Sequence, residues 1–362
     1  MTCVAVAGAG AGGMAAAVDL TLRGHEVRMW NRSRATLEPL RAAKNIVYEG
    51  ALDDGAIEIA GMDHDLAHTL AGADIVVVTL PAIAHEQVAG ALAELGCTLP
   101  VVLNPGHTGG ALHWRNVFAR TGTAPPPIAE LSTLTYVARK QTPSSVTISG
   151  VAGRVHAACL PGDGHALESA RALWPSATPA QDVLATGLAN VNMVLHPPGA
   201  VLAAAWVEAT QGDFLFYVDA MTPGVVRTIE RLDAERLEVA RAFGHVLPSL
   251  IEEMAAVGTV DPSDAESGDA GSAIANGQAN SRLRAPNSLD HRYYKEDFGY
   301  GLVPLLALAR IAGVEVTVAA ALLRVAEAAT GEELGAHGLT ANRLGIENLD
   351  VDGLVALVRG HG

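Results

Sequence analysis

The chain has 362 residues, of which 49% are hydrophobic and only 4% aromatic, and it carries a formal net charge of −15. Its length exceeds the roughly 250–300 residues at which a single core usually stops growing, so we expect two domains. The acidic balance argues against a nucleic-acid or anionic-membrane surface, because both need clustered lysine and arginine.

The chain opens with a short apolar strand pattern, CVAVAG, that runs directly into a glycine-rich turn and a helix predicted over 14–23. Gly8, Gly10 and Gly13 have the G-x-G-x-x-G spacing, in which the first glycine permits a tight turn, the second admits a pyrophosphate and the third allows close helix packing. The helix N-terminus adds free N–H groups and a positive dipole. We therefore predict that this loop binds a dinucleotide cofactor.

The second strand pattern, EVRMWN, ends in Asn31, Arg32, Ser33 and Arg34 without a carboxylate. Sites specific for NAD usually place Asp or Glu there to bind the ribose 2′-hydroxyl, whereas an arginine accommodates a 2′-phosphate. We therefore predict that Asn31 and Arg32 bind the cofactor and that NADP(H) is favoured over NAD(H). The alternative is that the arginines are simply solvated residues at the start of the next helix, RATLEPLRAAK.

The runs ADIVVVTLP and LPVVLNPG are near-continuous and β-branched, as in parallel strands buried on both faces, and the pattern AHEQVAGALAEL between them predicts a helix. Shorter strands are predicted at IAEL, TYVA, SVTISG and VHAACL. This succession predicts an α/β Rossmann domain, a doubly wound parallel sheet, over residues 1–180. Because ligands bind outside the carboxyl ends of such strands, we expect Leu80 and Pro81 to border the cofactor, and Asn104 and Thr108 to contact its carboxamide or the substrate.

After about residue 180 the apolar pattern changes to long helical periods, which predicts an all-α, helical C-terminal domain over 181–362. The predicted helices are 182–196, 199–209, 222–243, 246–256, 302–311, 314–329 and 350–359. Residues 261–288 are rich in Gly, Ser, Asn and Asp, so we expect a long irregular connection there and treat it as a candidate lid.

A histidine stands directly before two prolines in the apolar stretch LANVNMVLHPPGAVL. Because the residue before a proline is pushed out of the α region, we expect the helix to end or kink at His196. Two interpretations fit this stretch: a hydrogen-bonded histidine at a helix end, and a histidine that the break aims into a cleft.

The segment LDHRYYKEDFGYGLVPL, residues 289–305, concentrates charged side chains before a predicted glycine-containing turn and an apolar helix. A solvated charged face is one explanation for such a run. Two tyrosines are interleaved with the charges, however, and the run ends the long connection, where ligand-facing residues are expected. The segment is therefore a candidate binding site.

These segments together resemble the opine dehydrogenase family of the octopine/nopaline dehydrogenase type. The resemblance follows the family's order over nearly the whole chain and rests on GAGAGGMAAAVDL, LNPGHTGGAL, TLTYVAR, NVNMVLHPPGAVL, GDFLFYVDAMTPGVVRTIERLDAERLEVARAFG, RAPNSLDHRYYKEDFGYGLVPL and GLTANRLGI. It implies a Rossmann domain, a helical domain and a substrate bound between them. It also implies that an amino acid and a 2-keto acid, commonly pyruvate, are condensed reductively with NAD(P)H.

The resemblance also implies roles for single residues. His196 corresponds to the family's catalytic histidine and Asp297 to its partner carboxylate. Arg292 lies in the same motif and would bind a substrate carboxylate, a task for which the bidentate geometry of arginine is suited. Tyr293, beside it, is predicted to contact substrate as well.

The chemistry suits these residues. Imine formation and reduction require proton transfers near neutrality, which histidine can perform, and a carboxylate on its second nitrogen would fix one tautomer. Two alternatives remain open. A ketopantoate-reductase-like or glycerol-phosphate-dehydrogenase-like ketone reductase would usually need a lysine in the helical domain, where this chain has only Lys295. A non-catalytic NADP-binding sensor would keep the glycine loop but would not need His196, Arg292 and Asp297 together.

Other patterns bear on partners and location. The three cysteines have no disulfide or ligand spacing, no metal-binding cluster is evident, and no apolar run approaches the ~20 residues of a membrane span. We expect a cytoplasmic protein that binds small-molecule substrates and no metal, with apolar helical stripes that would allow a homodimer.

Overall fold

The computed structural model describes residues 1–277 and 279–360 and divides into two compact units. The first unit comprises Met1–Gly106 and Val117–Ala180, and the second comprises His107–Asn116 and the residues from Gln181 onward. The predicted continuous domain over 1–180 is therefore wrong for residues 107–116, which belong to the second unit. The reason is polar anchoring: the side-chain amide of Asn116 donates to the carbonyl oxygens of Asn342 and Arg343, at 2.9 and 3.0 Å.

The first unit contains an eight-stranded sheet of order β12-β11-β8-β7-β6-β1-β2-β5. From β8 to β5 every neighbouring pair is parallel, whereas β11 pairs antiparallel with β8. Its strands are β1 Cys3–Ala7, β2 Glu26–Trp30, β5 Gly61–Asp63, β6 Ile75–Val78, β7 Val101–Leu103, β8 Ile128–Leu131, β11 Val155–Cys159 and β12 Ala177–Pro179. The predicted Rossmann sheet is confirmed, and its central strands β6 and β7 are buried on both faces.

A second, four-stranded sheet of order β4-β3-β10-β9 accompanies the large one. Its strands are β3 Ile46–Gly50, β4 Gly55–Ile57, β9 Tyr136–Thr142 and β10 Ser145–Val151. The sequence patterns predicted β9 and β10 but not β3 and β4. These two are short, and β3 alternates one buried with one or more exposed residues, so neither resembles the buried β-branched runs of the large sheet.

Six helices lie between these strands in the chain. They are α1 Ala11–Leu22, α2 Arg34–Ala43, α3 Leu66–Leu70, α4 His85–Glu94, α5 Gly110–Thr121, whose residues from Val117 belong to this unit, and α6 Gly164–Leu173, with a 3₁₀ turn at Ala82–Ala84. The start of α2 has a local cause, because Ser33 accepts a hydrogen bond from the Thr36 N–H.

The second unit is helical, as predicted. Its elements are α7 Val183–Leu188, α8 Asn192–Leu202, α9 Ala204–Thr210, α10 Pro223–Ala242, α11 Leu250–Val257, α12 Pro262–Ala265, α13 Ala270–Asn276, a 3₁₀ turn at Asn280–Arg282, a π-helix at Tyr293–Leu302, α14 Val303–Ala312, α15 Thr317–Thr330, α16 Leu334–His337, α17 Ala341–Leu344 and α18 Val351–Arg359. None of the helices in the described part of the chain is long and apolar enough to cross a membrane.

The predicted helix end at His196 is wrong, because α8 continues through Pro197 and Pro198 to Leu202. The interruption lies earlier, between α7 and α8, where the Asn190 side chain accepts a hydrogen bond from the Asn192 N–H. A polar side chain thus lies at the break, and the helix tolerates two prolines five and six residues after its first residue.

Two further expectations need correction. The segment 261–288 is not a single irregular connection, since it holds α12, α13 and the 3₁₀ turn, and Gln278 lies outside the described residues. Its aspartates act as N-caps: Asp261 accepts from the Ser263 N–H and Asp269 from the Ser272 N–H. The turn predicted before α14 is absent, because both of its glycines lie inside the π-helix.

Candidate functional site

The glycine loop of the first unit has the geometry that a diphosphate requires. Gly8 has a φ of +127°, and a Cβ at Gly13 would collide with the Gly8 carbonyl oxygen, so helix α1 can pack on β1 only with glycine at that position. At Gly10 no other atom lies within 4 Å of where a Cβ would be, which leaves the helix start open. Neither a side-chain cap nor an acidic residue occupies the first turn of α1. The loop therefore fits an anionic ligand at this end of the helix.

The end of β2 presents polar and cationic side chains beside this loop. Asn31 Oδ1 accepts from the Ala9 N–H at 3.3 Å, and exposed Arg32 bonds with the side chain of Gln87. Arg34 is also exposed, and its guanidinium donates to His64 Nε2 at 2.6 Å. The sequence-predicted cofactor residues Asn31 and Arg32 thus lie where the prediction placed them, at the carboxyl end of the second strand.

Strand β5 adds a carboxylate that the sequence pattern of β2 did not reveal, because Asp63 pairs with Trp30 in the sheet. That carboxylate accepts from the Asp65 N–H at 2.9 Å and lies 2.6 Å from His68 Nδ1. These two contacts lower the pKa of Asp63, so the group stays ionised and is already engaged by its own neighbours.

The residues that follow β6 and β7 differ in their exposure and in their hydrogen bonds. Leu80 and Pro81 follow β6 in partly or fully exposed positions, and His85 Nε2 donates to the Leu80 carbonyl oxygen at 3.2 Å. Asn104 is fully buried, and its amide both donates to Thr135 Oγ1 and accepts from the Thr135 N–H, at 2.9 and 3.0 Å. Asn104 thus forms a cross-link inside the first unit, and its contact with a ligand stays a prediction.

The second unit brings His196 and Asp297 together across 101 residues of sequence. His196 Nδ1 lies 2.7 Å from Asp297 Oδ2, and both side chains are buried. Helix α8 carries the histidine and the π-helix carries the aspartate, and a Cβ at Gly301 would come within 2.6 Å of Met193 Cβ. The glycine thus permits the close approach of the two elements that holds the pair together.

The other imidazole nitrogen is engaged as well. Tyr217 Oη lies 2.7 Å from His196 Nε2 and 3.2 Å from Tyr293 Oη, and the Tyr293 ring stacks on the imidazole with centroids 4.0 Å apart. Burial raises the pKa of Tyr217 well above its usual range, so this hydroxyl keeps its proton. With the Nδ1 proton donated to Asp297, Nε2 accepts from Tyr217, whose oxygen can in turn accept from Tyr293.

An anion and a cation, Glu296 and Arg292, act on this pair. Burial raises the pKa of Asp297, and the His196 ring opposes that shift. Glu296 is buried beside it and lies 3.4 Å from His107 Nε2. Arg292 is exposed, with its guanidinium carbon 6.0 Å from the Tyr293 ring centroid. The arrangement can hold a proton-transfer pair in the interior and present a cation next to it.

Thr108 lies in the second unit but is fully buried. Its hydroxyl accepts from the Asn190 side-chain amide at 3.1 Å and donates to Met193 Sδ at 3.4 Å. These contacts attach the segment that carries Thr108 to the start of α8. They give Thr108 a structural role, and its contact with substrate stays a prediction.

Tyr217 is the functional candidate that sequence reasoning missed. It lies in GDFLFYVDA, an aromatic run that is typical of a hydrophobic core, and Phe216 beside it is indeed fully buried. A tyrosine in an otherwise phenylalanine-rich run was the available signal, since a buried hydroxyl needs a hydrogen-bond partner. Within the described residues, no three His, Cys, Asp or Glu side chains are grouped as metal ligands.

Comparison with known proteins gives consistent matches over both units. A family model for the α-helical domain of NAD/NADP octopine/nopaline dehydrogenase matches residues 179–330, and one for the N-terminus of NAD-dependent glycerol-3-phosphate dehydrogenase matches residues 3–103. An opine dehydrogenase of Arthrobacter sp. (strain 1C) is 31% identical over 357 residues, which cover 98% of each chain.

Two solved structures share the fold. Octopine dehydrogenase in complex with NADH and agmatine aligns with a TM-score of 0.76 over 100% of this chain and 99% of that one, at 19% identity. Yersinopine dehydrogenase with bound NADP+ aligns with a TM-score of 0.71 over 99% and 98% of the two chains, at 17% identity.

Proposed function

The chain belongs to the opine dehydrogenase family, and from this premise we propose that it condenses the amino group of an amino acid with a 2-keto acid, or oxidises the resulting opine in reverse. It is an NAD(P)-dependent oxidoreductase that acts on a CH–NH bond. The observation that carries the proposed mechanism is the buried His196–Asp297 pair, with Nδ1 and Oδ2 2.7 Å apart.

His196 moves the protons of the reaction. An amine and a ketone lose water to form an imine, and hydride then adds to the imine carbon, so the nitrogen and the carbinol oxygen exchange protons on the way. Asp297 holds the Nδ1 proton and stabilises the imidazolium, which leaves Nε2 as the nitrogen that gains and loses a proton.

Tyr217 carries the proton to and from that nitrogen. Its hydroxyl contacts His196 Nε2 directly, and its raised pKa means that it passes a proton on without remaining ionised. Tyr293 extends this chain of hydroxyls at 3.2 Å and orients the imidazole by stacking on it. The histidine therefore acts through a hydroxyl that accepts one proton as it donates another.

Arg292 binds the carboxylate of the keto acid. It is an exposed guanidinium five residues before Asp297 and one before Tyr293, and a planar fork of N–H donors binds a carboxylate through two parallel hydrogen bonds. Desolvation acts to lower the pKa of Arg292, but the Glu296 carboxylate and its neighbours outweigh it and raise the pKa, so the cation is maintained.

NAD(P)H, when bound, supplies the hydride. Gly8, Gly10 and Gly13 would hold its diphosphate at the start of α1. Asn31 accepts from the Ala9 N–H and so fixes the loop, and Leu80 and Pro81 would border the nicotinamide. We favour NADP(H) over NAD(H), because Arg32 and Arg34 are exposed at the end of β2, while the carboxylate of Asp63, which pairs with Trp30 in the sheet, is engaged by Asp65 and His68.

Both alternative functions are disfavoured. A ketone reductase of related architecture would need a catalytic lysine in the helical domain, but Lys295 forms surface ion pairs with Asp290 and Glu332, the latter at 3.5 Å. A non-catalytic sensor would have no use for a buried, fully hydrogen-bonded proton-transfer pair.

A coupled-substrate assay tests the proposal. NADPH and NADH oxidation is followed with pyruvate, 2-oxoglutarate and oxaloacetate, each with and without a panel of L-amino acids. Oxidation that requires both a keto acid and an amine supports opine formation. Oxidation with a keto acid alone would identify a ketone reductase, and tight cofactor binding without turnover on any pair would favour the sensor.

Cofactor preference is tested by binding. We expect a lower dissociation constant for NADPH than for NADH, and Arg34→Gln should raise the NADPH value about tenfold while leaving that of NADH nearly unchanged. A wild-type protein that binds NADH more tightly would contradict the preference.

We also propose a cytoplasmic location, as expected from the sequence. All three cysteines lie in the described part of the chain and none forms a disulfide, which suits a reducing compartment. A homodimer remains a proposal that rests on apolar helical stripes, and sedimentation equilibrium tests it.

A further inference from the structure

Strand β9 runs along helix α1 within the first unit. At one end, Tyr136 Oη donates to Asp19 Oδ2 at 2.6 Å and accepts from Trp174 Nε1 at 2.6 Å, which fixes the start of the strand. At the other end, Lys140 Nζ donates to the Ala9 carbonyl oxygen at 3.3 Å. The four steps along the strand from Tyr136 to Lys140 span about 13 Å, which is close to the roughly 15 Å of the ten steps from Asp19 back to Ala9, most of which are helical.

This alignment places an ammonium group at the N-terminal end of α1, on the glycine loop itself. The chain has a net charge of −15, and Lys140 is one of only three lysines in it. Lys140 is partly buried, and desolvation lowers its pKa. A partly desolvated ammonium regains electrostatic free energy when an anion binds beside it.

Two further features of the N-terminal end of α1 favour the binding of an anion there. No acidic side chain lies in the first turn, and the space at Gly10 is open. The ammonium has three N–H donors, of which the Ala9 carbonyl oxygen uses one, so donors remain for oxygen atoms that approach the loop.

We propose that Lys140, from the small second sheet, is a direct ligand of the cofactor's diphosphate. The proposal rests on the NAD(P)-binding role of the glycine loop and adds a residue to it that lies about 130 positions further along the chain. Because the diphosphate is common to both dinucleotides, Lys140 contributes to affinity for NADH and NADPH alike, whereas Arg34 discriminates between them.

The test is calorimetric titration of the whole protein with ADP, adenosine, NADH and NADPH, in wild type, Lys140→Met, Lys140→Arg and Arg139→Gln. Arg139 is the matched control, because it is the exposed neighbour of Lys140 on β9 and its side chain points to the opposite face. Thermal unfolding of each variant verifies that it is folded.

We expect Lys140→Met to raise the dissociation constants of ADP, NADH and NADPH about tenfold or more, as for loss of a charge-assisted contact, and to leave adenosine binding unchanged. Lys140→Arg should retain most of the affinity, and Arg139→Gln should behave as wild type. The ratio of the NADPH and NADH constants should not change in Lys140→Met.

Three results would overturn the proposal. If folded Lys140→Met bound ADP with the same affinity as the wild-type protein, the ammonium would only stabilise the loop through its hydrogen bond to the Ala9 carbonyl oxygen. An equal loss for adenosine would indicate a general distortion of the loop. Wild-type protein that binds neither ADP nor NADH would remove the cofactor role of the loop and the proposal with it, whereas failure of the opine reaction alone would leave the binding results intact.

Discussion

The hydroxyl of Tyr217 lies 2.7 Å from His196 Nε2, on the side of the imidazole opposite to Asp297. The histidine is thus held at both nitrogens inside one unit of the protein, and Tyr217 is the group hydrogen-bonded to Nε2. In the proposed mechanism, the proton-transfer group is therefore the set of three side chains rather than the histidine and carboxylate alone.

Tyr217→Phe should lower kcat by about 10²-fold, because the proton path to Nε2 is lost while the ring and its packing remain. The KM values and the temperature of unfolding should change little. Steady-state kinetics with a solvent isotope effect provide the measurement, since slowed proton transfer raises that effect. Tyr294→Phe is the control: it removes another buried hydroxyl, which donates to the Ala200 carbonyl oxygen, without touching His196. Equal losses in the two variants would indicate a packing effect.

Asp297→Asn should lower kcat by roughly 10²–10⁴-fold, because a neutral amide no longer stabilises the imidazolium and can donate to Nδ1, which favours the wrong tautomer. The dissociation constant of NADPH should be unaffected, since the residues proposed to hold the cofactor lie in the first unit. Single-turnover reduction separates the chemical step from binding. Normal turnover in this variant would remove Asp297 from the mechanism.

Arg292→Lys should raise the KM for the keto acid about tenfold or more, with a smaller effect on the KM for the amine. The charge is kept, but the two parallel hydrogen bonds to the carboxylate are lost. Varying one substrate at saturating levels of the other measures the two constants separately. If the amine constant rose instead, Arg292 would bind the amino acid carboxylate rather than the keto acid.

His291 should make the protein less stable in mild acid. Burial lowers the pKa of His291 to about 4 and Arg292 adds to the shift, and the lone pair on Nδ1 accepts from the Tyr293 N–H at 3.3 Å. Between the unfolded value of 6.5 and 4, the unfolded chain binds a proton at this residue that the folded protein does not. The free energy of unfolding therefore falls as the pH falls through this window and levels off below it.

His291→Gln should reduce the fall in the free energy of unfolding across this pH window by about 1 kcal/mol, a figure that allows for solvent screening. Urea unfolding at a series of pH values supplies the free energies. The exposed His165, changed to Gln, is the control. Parallel curves for wild type and His291→Gln would mean that this residue does not titrate with unfolding.

Glu235→Gln should lower the free energy of unfolding by about 1–3 kcal/mol. The Glu235 carboxylate is buried and accepts from the N–H groups of Val318 and Ala319, at 2.8 and 3.0 Å, so it caps the start of α15 from helix α10. Denaturant titration measures the loss. Glu238→Gln, an exposed position on the same helix, should change stability by no more than about 0.5 kcal/mol.

Much of the first unit could be predicted from its sequence, for physical reasons. Strands such as β6 are buried on both faces, so their apolar runs are continuous and their limits are clear. Gly8 and Gly13 of the glycine motif follow from backbone constraints that few other residues satisfy. By contrast, β3 and β4 gain their stability from pairing with strand β10 and with each other, which local periodicity does not encode.

The site in the second unit shows what sequence reasoning lacks. His196 and Asp297 are 101 residues apart, and only resemblance to a known family paired them before the structure did. Asn104 and Thr108 were expected to face ligands because they follow a strand, and the structure adds what the sequence did not reveal, namely that both have buried polar partners within the protein. Position at a strand end predicts where a side chain lies, whereas its available partners decide what it contacts.

The π-helix at Tyr293–Leu302 has a consequence for which length changes the chain can tolerate. A π-helical turn contains one residue more than an α-helical turn, so removal of a single residue between Asp297 and α14 would let the segment relax into ordinary α-helix. Such a deletion would leave the direction of everything before it nearly unchanged relative to α14, because the lower residue count and the larger rotation per residue of an α-helix offset each other. An insertion has no such compensation: at about 100° per helical residue, one added residue would turn Asp297 away from His196 although neither residue had been altered. This segment is therefore expected to tolerate the loss of one residue better than the gain of one.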